Sequence, residues 1–167
     1  MITMNFSIQS QFSKKFCLKI FVVLLLGLIF CAPKKTEARL GGPLGLGFVA
    51  GLPSGISGKY WLNDHNAIDG VIGYNAWDKW LLLNADYVFH EYELIRVPQG
   101  QLPLYYGIGA WAAIANHAAI GIHGVVGLDY LFPGAPIDAF IELAPGTSIL
   151  PGTEFNMGAG VGARFFF

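Results

Sequence analysis

The chain of 167 residues is 54% hydrophobic and only 13% charged, and its mean hydropathy is +0.51. A soluble β-sandwich hides its apolar face in a core and does not need so high a value, which favours a membrane protein. The formal charge is −1 at pH 7. It becomes −5 when residues 1–38 are removed, and this acidic balance argues against nucleic acid as a partner.

The amino-terminal segment has the pattern of an export signal. Lysines precede an apolar run over residues 20–32, and Thr36 and Ala38 then supply small residues at the two positions that a signal peptidase reads. We therefore predict a cleaved signal peptide over residues 1–38 and a single β-barrel domain over residues 39–167.

Two alternatives to cleavage after Ala38 fit less well. A membrane-anchoring helix needs roughly 20 apolar residues, more than this run supplies. A lipoprotein signal cleaved before Cys31 would need a small residue where Phe30 stands. Cleavage removes both cysteines, and with them any disulfide or cysteine-metal site. It also leaves five of the ten Lys and Arg residues against ten of the eleven carboxylates, a formal charge of −5.

The last fourteen residues, 154–167, predict an amphipathic strand. Every second residue from Phe155 to Phe167 is apolar, and the interleaved positions are mostly glycine with Arg164 among them. This period of two gives one apolar face. A terminal strand ending in Phe resembles the closing strand of bacterial outer-membrane barrels. We expect Phe165 and Phe167 to act as an assembly signal for the barrel assembly machinery, and this strand to pair with the first.

Seven further segments alternate in the same way and are separated by turn-forming sequences. We predict strands over residues 44–52, 56–62, 67–76, 81–90, 104–112, 120–130 and 137–143, with a loop over residues 145–153 before the last strand. An even count places both ends of the barrel on the periplasmic side. The expected fold is all-β: an eight-stranded antiparallel transmembrane β-barrel preceded by a cleaved signal peptide.

The region from Val97 to Leu128 is the least typical of a barrel. It contains no Asp, Glu, Lys or Arg, and its alanine-rich centre, residues 110–119, has better helix than strand propensity. A transmembrane helix is the alternative. The glycines within the region, the flanking prolines and the lack of comparable segments elsewhere favour strands.

Aromatic residues are expected to form two belts where the barrel wall meets water. The predicted strand directions place one group near the periplasmic ends: Tyr60, Phe89, Tyr106, Tyr130, Phe132, Phe165 and Phe167. They place Trp77, Trp80 and Phe155 near the outer ends.

The alternation also predicts a polar network inside the barrel. Its candidate members are the ionisable residues on the inward face: Lys59, Asp69, Asp86, His90, His123, Asp129, Asp138, Glu142 and Arg164. An isolated buried ion is costly, so these groups should pair. Centring the turns places Lys59 opposite Asp69 and Asp69 beside Asp86, so that one lysine serves both carboxylates. It also places Arg164 opposite Asp138. We interpret the network as filling and bracing the barrel rather than as a transport site.

No catalytic, cofactor or metal site is predicted. Ser148 and His117 could both lie at outer loops, but such a pair is typical of loop chemistry rather than of a catalytic dyad. The spacing of His90, His123 and Asp86 matches no closed metal site. A barrel that modifies lipids would hold an acyl chain in an apolar interior, whereas the predicted inward face is charged.

Several segments in order carry a resemblance to known proteins. They are residues 55–62 (GISGKYWL), Asp86-Tyr87 with His90, residues 102–109 (LPLYYGIG), residues 137–145 (IDAFIELAP) and the closing GVGARFFF. Together they resemble a family of small, uncharacterised outer-membrane barrels that is similar in architecture to the OmpA and OmpX barrels. The resemblance implies an eight-stranded barrel in a bacterial outer membrane and no established activity. The predicted outer loops near Pro53, Trp77 and Asn116 are very short, which argues against a receptor role built on long loops.

The function expected from the sequence is that of a non-enzymatic outer-membrane barrel with a structural or surface-interaction role. A narrow pore and a lipid-modifying enzyme are the alternatives. Outer-membrane lipid and the barrel assembly machinery are the expected partners, and the sequence does not identify an extracellular one.

Overall fold

The computed structural model describes residues 41–75, 80–114 and 118–167, with the backbone alone for Asn75 and Trp80. The predicted signal peptide, its cleavage after Ala38 and the belt position of Trp77 lie outside these residues. The described residues form eight strands: β1 (Leu44–Leu52), β2 (Gly55–Trp61), β3 (Asn66–Asn75), β4 (Trp80–Glu91), β5 (Leu104–Ile114), β6 (Ala118–Leu131), β7 (Ile137–Leu150) and β8 (Phe155–Phe166).

The strands close into an antiparallel barrel in chain order. The first and last strands pair, with Leu46 opposite Phe165 and Leu52 opposite Ala159, which confirms the predicted closure. The uncharged region from Val97 to Leu128 contributes β5 and most of β6, so the helical alternative is wrong for its described residues. Within the described ranges, no helix has the length and apolarity needed to cross a bilayer.

The barrel has two different ends. We call the end that carries Leu44 and Phe166 the terminus end, and the opposite one, where residues 53–54 join β1 to β2, the turn end. The strand bounds leave connections of two to four residues at the turn end and a connection over residues 92–103 at the terminus end. The long connection folds back on β6, since Gln101 and Leu131 exchange backbone hydrogen bonds of 3.2 and 2.8 Å.

The two faces of the wall follow the predicted period of two. The outward residues are apolar and exposed, as at Phe48, Ile72, Ile108 and Ile141, and Ile108 keeps 73% of its surface accessible. Within the eight strands every charged residue faces the lumen except Glu91, which ends β4. The barrel is therefore apolar outside and charged inside, the reverse of a soluble globular fold.

One predicted boundary is wrong by several residues. Residues 145–150 were expected in a loop, but β7 continues to Leu150. Pro145 is tolerated inside the sheet because the ladder with β6 passes from Leu143 directly to Gly146, while β8 still pairs with Pro145. The proline's missing N–H thus coincides with an interruption of the ladder. The other strand ends differ from prediction by only a few residues.

The aromatic side chains predicted for the periplasmic belt lie at the terminus end. The rings of Phe89 and Tyr106 stack with centroids 5.9 Å apart, and those of Tyr130 and Phe132 meet edge to face at 4.8 Å. Phe165 and Phe167 contact each other at 5.1 Å. Phe155 lies at the turn end and is exposed.

Candidate functional site

The lumen near the terminus end holds a cluster of ionisable side chains, which we call the lumenal cluster: Lys59, Asp69, His90, Asp129, Asp138 and Arg164. The Lys59 ammonium lies 2.5 Å from Asp129 Oδ2, 3.1 Å from His90 Nε2 and 3.7 Å from Asp69 Oδ2. The side chains of Lys59 and Asp129 are fully buried. Charges this deeply buried are tolerated only when they are paired.

Arg164 links the other carboxylates of the lumenal cluster. Its Nε donates to both oxygens of Asp138 at 3.1 Å, its Nη2 lies 3.0 Å from Asp138, and its Nη1 lies 2.5 Å from Asp69. Asp138 and Arg164 are opposite each other across β7 and β8, as predicted. The planar guanidinium suits this arrangement because it presents several donors in a fixed fork.

Aromatic rings enclose the cations of the lumenal cluster. The Lys59 ammonium lies 5.0 Å from the ring centroids of both Trp61 and Tyr105. The Arg164 guanidinium lies 4.0 Å from the Phe140 ring. Such cation–π contacts attract the cations to the ring faces and add to packing. Together with the lumenal cluster, these side chains fill the barrel near the terminus end.

Two further polar pairs lie on the turn-end side of the lumenal cluster. His123 Nε2 is 2.5 Å from Asp86 Oδ1, and the Tyr105 hydroxyl donates to Glu142 Oε2 at 2.7 Å. Asn84 Nδ2 lies 3.4 Å from Asp86 Oδ2. These pairs form a polar layer across the middle of the lumen.

The predicted neighbours of the charged residues are correct along the barrel wall, but the predicted ion-pair partners across the lumen are wrong. Lys59 is opposite Asp69, and Asp69 is opposite Asp86, as expected from the turns. Lys59 nevertheless serves Asp129 as its second carboxylate, and Asp86 pairs with His123 instead. The reason is that a long side chain reaches across the narrow barrel, whereas strand register identifies only neighbours on the wall.

The described residues place the metal and catalytic candidates of the sequence in other contacts. Among the described residues, no group of three or more His, Cys, Asp or Glu side chains is placed to hold a metal ion. The Ser148 hydroxyl donates to Gly152 O at 2.7 Å and accepts from the Glu154 N–H at 2.9 Å, so it braces the turn between β7 and β8. His117, its proposed partner, lies outside the described residues.

The period of two in the sequence places Trp61, Tyr105 and Phe140 on the inward face but does not indicate their contacts with the cations. Their positions follow from the period of two, while the ring contacts to Lys59 and Arg164 depend on the curvature and width of the closed barrel. The available signal was an aromatic residue next to a charged one on the inward face, as for Trp61 after Lys59 and Phe140 between Asp138 and Glu142.

The fold is that of the small closed eight-stranded antiparallel barrels, to which the OmpA type belongs. Among solved structures, the chain is similar to the crystal structure of the N-terminal β-barrel domain of Pseudomonas aeruginosa OprF, with a TM-score of 0.50 and 18% sequence identity. The likeness covers 73% of this chain and 93% of that domain, and at this identity it establishes the fold alone. No protein-family model and no curated protein matches the chain.

Proposed function

We propose that the protein spans a bacterial outer membrane as a non-enzymatic barrel with a structural or surface-interaction role. The observation that carries this proposal is the inverted distribution of polarity: charged strand residues other than Glu91 face the lumen, and exposed apolar residues face outward around the barrel. An exposed apolar surface that runs around the barrel needs a membrane or a partner to cover it.

Strand length supports the same proposal. β4 and β8 have 12 residues and β6 and β7 have 14, which exceeds the roughly 9–11 residues of a tilted spanning strand. A closed barrel also satisfies its backbone hydrogen bonds internally, which a lipid environment demands. With both chain ends of the barrel on the periplasmic side, the short connections of the turn end face outward.

The packing of the lumen argues against the alternative of an open pore. Lys59, Asp129 and Arg164 are fully buried, and they lie among Trp61 and Tyr105 in the half of the barrel nearer the terminus end. Moving an ion past these groups would require breaking buried ion pairs. We therefore expect no steady conductance in planar bilayers.

Fractionation of cells that express the full chain tests the proposal. We expect the protein in the outer-membrane fraction, and we expect unboiled and boiled samples to migrate differently in SDS gels, since a closed barrel resists the detergent. Recovery in the soluble fraction with one mobility would contradict the proposal, and stable single-channel conductance would favour the pore.

A further inference from the structure

The charge of the lumen-facing side chains differs between the two halves of the barrel. On the turn-end side of the layer formed by Asp86, His123 and Glu142, the described lumen-facing residues carry no charge. Many are glycine, alanine or aliphatic residues, including Leu82, Ala119, Ala144 and Gly158, and the polar ones among them are Asn84, Ser148 and Asn156. We call this part the upper lumen. The charged interior that argued against an acyl chain is therefore confined to the other half.

The side chains that line the upper lumen are less buried than those of the lumenal cluster, since Leu82, Trp111 and Ala144 are partly accessible. An eight-stranded barrel is just wide enough to be filled by side chains or to hold one small ligand, and glycine and alanine leave the space open. A Cβ added at Gly158 would meet the Cβ of Ala144 at 3.2 Å, so the two share one patch of the inner wall. The Trp111 ring lies along the wall, 2.5 Å from a Cβ added at Gly121. Trp111, Ala144 and Gly158 all remain partly accessible.

The wall around the upper lumen is lower at the β1–β2 hairpin. β2 has 7 residues, fewer than the roughly 9–11 of a tilted spanning strand. β1 ends at Leu52, opposite Ala159, while β8 continues to Phe155. Among the described residues, 155–158 pair with β7 alone. The rim therefore drops by about 13 Å along β8, at roughly 3.3 Å per residue.

The gap above the β1–β2 hairpin has an apolar margin. Leu52 borders it from below, Phe155 and Met157 from β8, and Tyr74 from β3, and all four are exposed. This margin continues the outward apolar face of the barrel. Asn156 on the inward face of β8 and Ser54 in the β1–β2 turn are polar, but a hydrocarbon chain would otherwise meet apolar side chains between the outer face and the upper lumen.

We propose that the upper lumen takes up one acyl chain of a membrane lipid, which enters from the side through the gap above the β1–β2 hairpin. The chain end stops at the polar layer of Asp86 with His123 and Glu142 with Tyr105, and the head group stays at the rim. The proposal rests on the proposed function, since the gap faces lipid only if the barrel spans a membrane.

Trp111 provides a reporter inside the upper lumen. In a variant with Trp61, Trp77 and Trp80 replaced by Phe, Trp111 is the sole tryptophan of the chain. The protein is reconstituted in phosphatidylcholine bilayers with or without bromine in the middle of the acyl chain, which quenches tryptophan fluorescence on close approach. A second variant carries Ile108→Trp on the outward face with the four native tryptophans replaced by Phe.

We expect brominated lipid to quench Trp111 at least half as strongly as the Ile108→Trp reporter. Ala144→Phe narrows the upper lumen and should reduce the quenching of Trp111 at least threefold. Ala159→Phe, on the outward face of β8, is the matched control and should leave it unchanged. Ala119→Phe narrows the upper lumen from β6 and replaces Ala144→Phe if that variant does not show the heat-dependent gel mobility of a folded barrel.

The outcomes separate the two proposals. The proposed uptake of an acyl chain is wrong if the Ile108→Trp reporter is quenched while Trp111 is not, or if Trp111 is still quenched after the upper lumen is narrowed. Either result leaves the proposal of a membrane-spanning barrel intact. If folded protein shows no quenching of the Ile108→Trp reporter, the proposed function itself is wrong.

Discussion

Replacing Lys59 by Met is the sharpest test of the lumenal cluster. The substitution keeps the volume of the side chain and removes its charge. Asp129 then loses its partner at 2.5 Å and keeps only Arg164 Nη2 at 3.7 Å and the His90 ring at 3.6 Å. Its Oδ1 already has no hydrogen-bond partner among the described residues. The variant therefore holds a buried carboxylate that is poorly compensated.

Removing one partner of a buried ion pair costs about 3–5 kcal/mol. With a urea dependence of roughly 2 kcal/mol per molar, this cost lowers the midpoint of unfolding by about 1.5–2.5 M. The midpoint is measured for protein folded in lipid vesicles, by the change from the folded to the unfolded gel band. The same measurement on Arg96→Met is the control. Arg96 is 85% exposed and, within the described ranges, pairs only with Glu93. Its midpoint should therefore move by less than about 0.5 M, since a surface pair contributes about 0–1 kcal/mol.

A double variant tests whether the unpaired Asp129 carboxylate causes the lower urea midpoint. Lys59→Met combined with Asp129→Leu removes both charges and should recover at least half of the lost midpoint, because an apolar replacement of a buried pair is often neutral. Equal midpoints for Lys59→Met and Arg96→Met would refute the reasoning, since Lys59 would then be solvated and β2 would face the other way.

Two further substitutions and one deletion test other parts of the structure. Arg164→Lys should cost about 2 kcal/mol by the same urea assay, because lysine cannot reproduce the fork that serves two carboxylates; an unchanged midpoint would show that charge alone matters. Gly134→Ala should cost about 1 kcal/mol because Gly134 has a φ of 76°, whereas Gly152→Ala, also in open space, should be neutral; equal costs would remove the backbone explanation. Deleting Phe167 should lower the amount of barrel in the outer membrane severalfold, while Phe155→Ala at the other end of β8 should not, and equal recovery of the two would contradict a terminal assembly signal.

The sequence predicted the wall of the barrel well because its physical basis is local. A period of two assigns each residue to a face, and the centre of a short turn then fixes which residues are opposite each other. Lys59 opposite Asp69 and Asp138 opposite Arg164 followed from these two steps. The even number of strands and the pairing of the first with the last followed from closure.

The sequence could not predict contacts that cross the lumen. Lys59 reaches Asp129 and Asp86 reaches His123, and both contacts depend on how the closed wall curves. It also placed a strand end at Pro145, since proline normally ends a strand; the interruption of one ladder that accommodates it is a tertiary feature. The sequence also could not show that the charges gather in one half of the lumen, because this depends on which inward residues lie at the same height along the barrel axis.

The most direct test of the central claim is a spin-label scan of residues 137–143 of β7 in phospholipid bilayers. The scan asks whether the outward face contacts lipid while the charged face is enclosed. Collision with oxygen, which concentrates in lipid, should peak at positions 137, 139, 141 and 143 and fall at 138, 140 and 142, with little access of a water-soluble nickel complex to position 141. Uniform values along the scan, or strong nickel access at the outward positions, would contradict a membrane-spanning barrel.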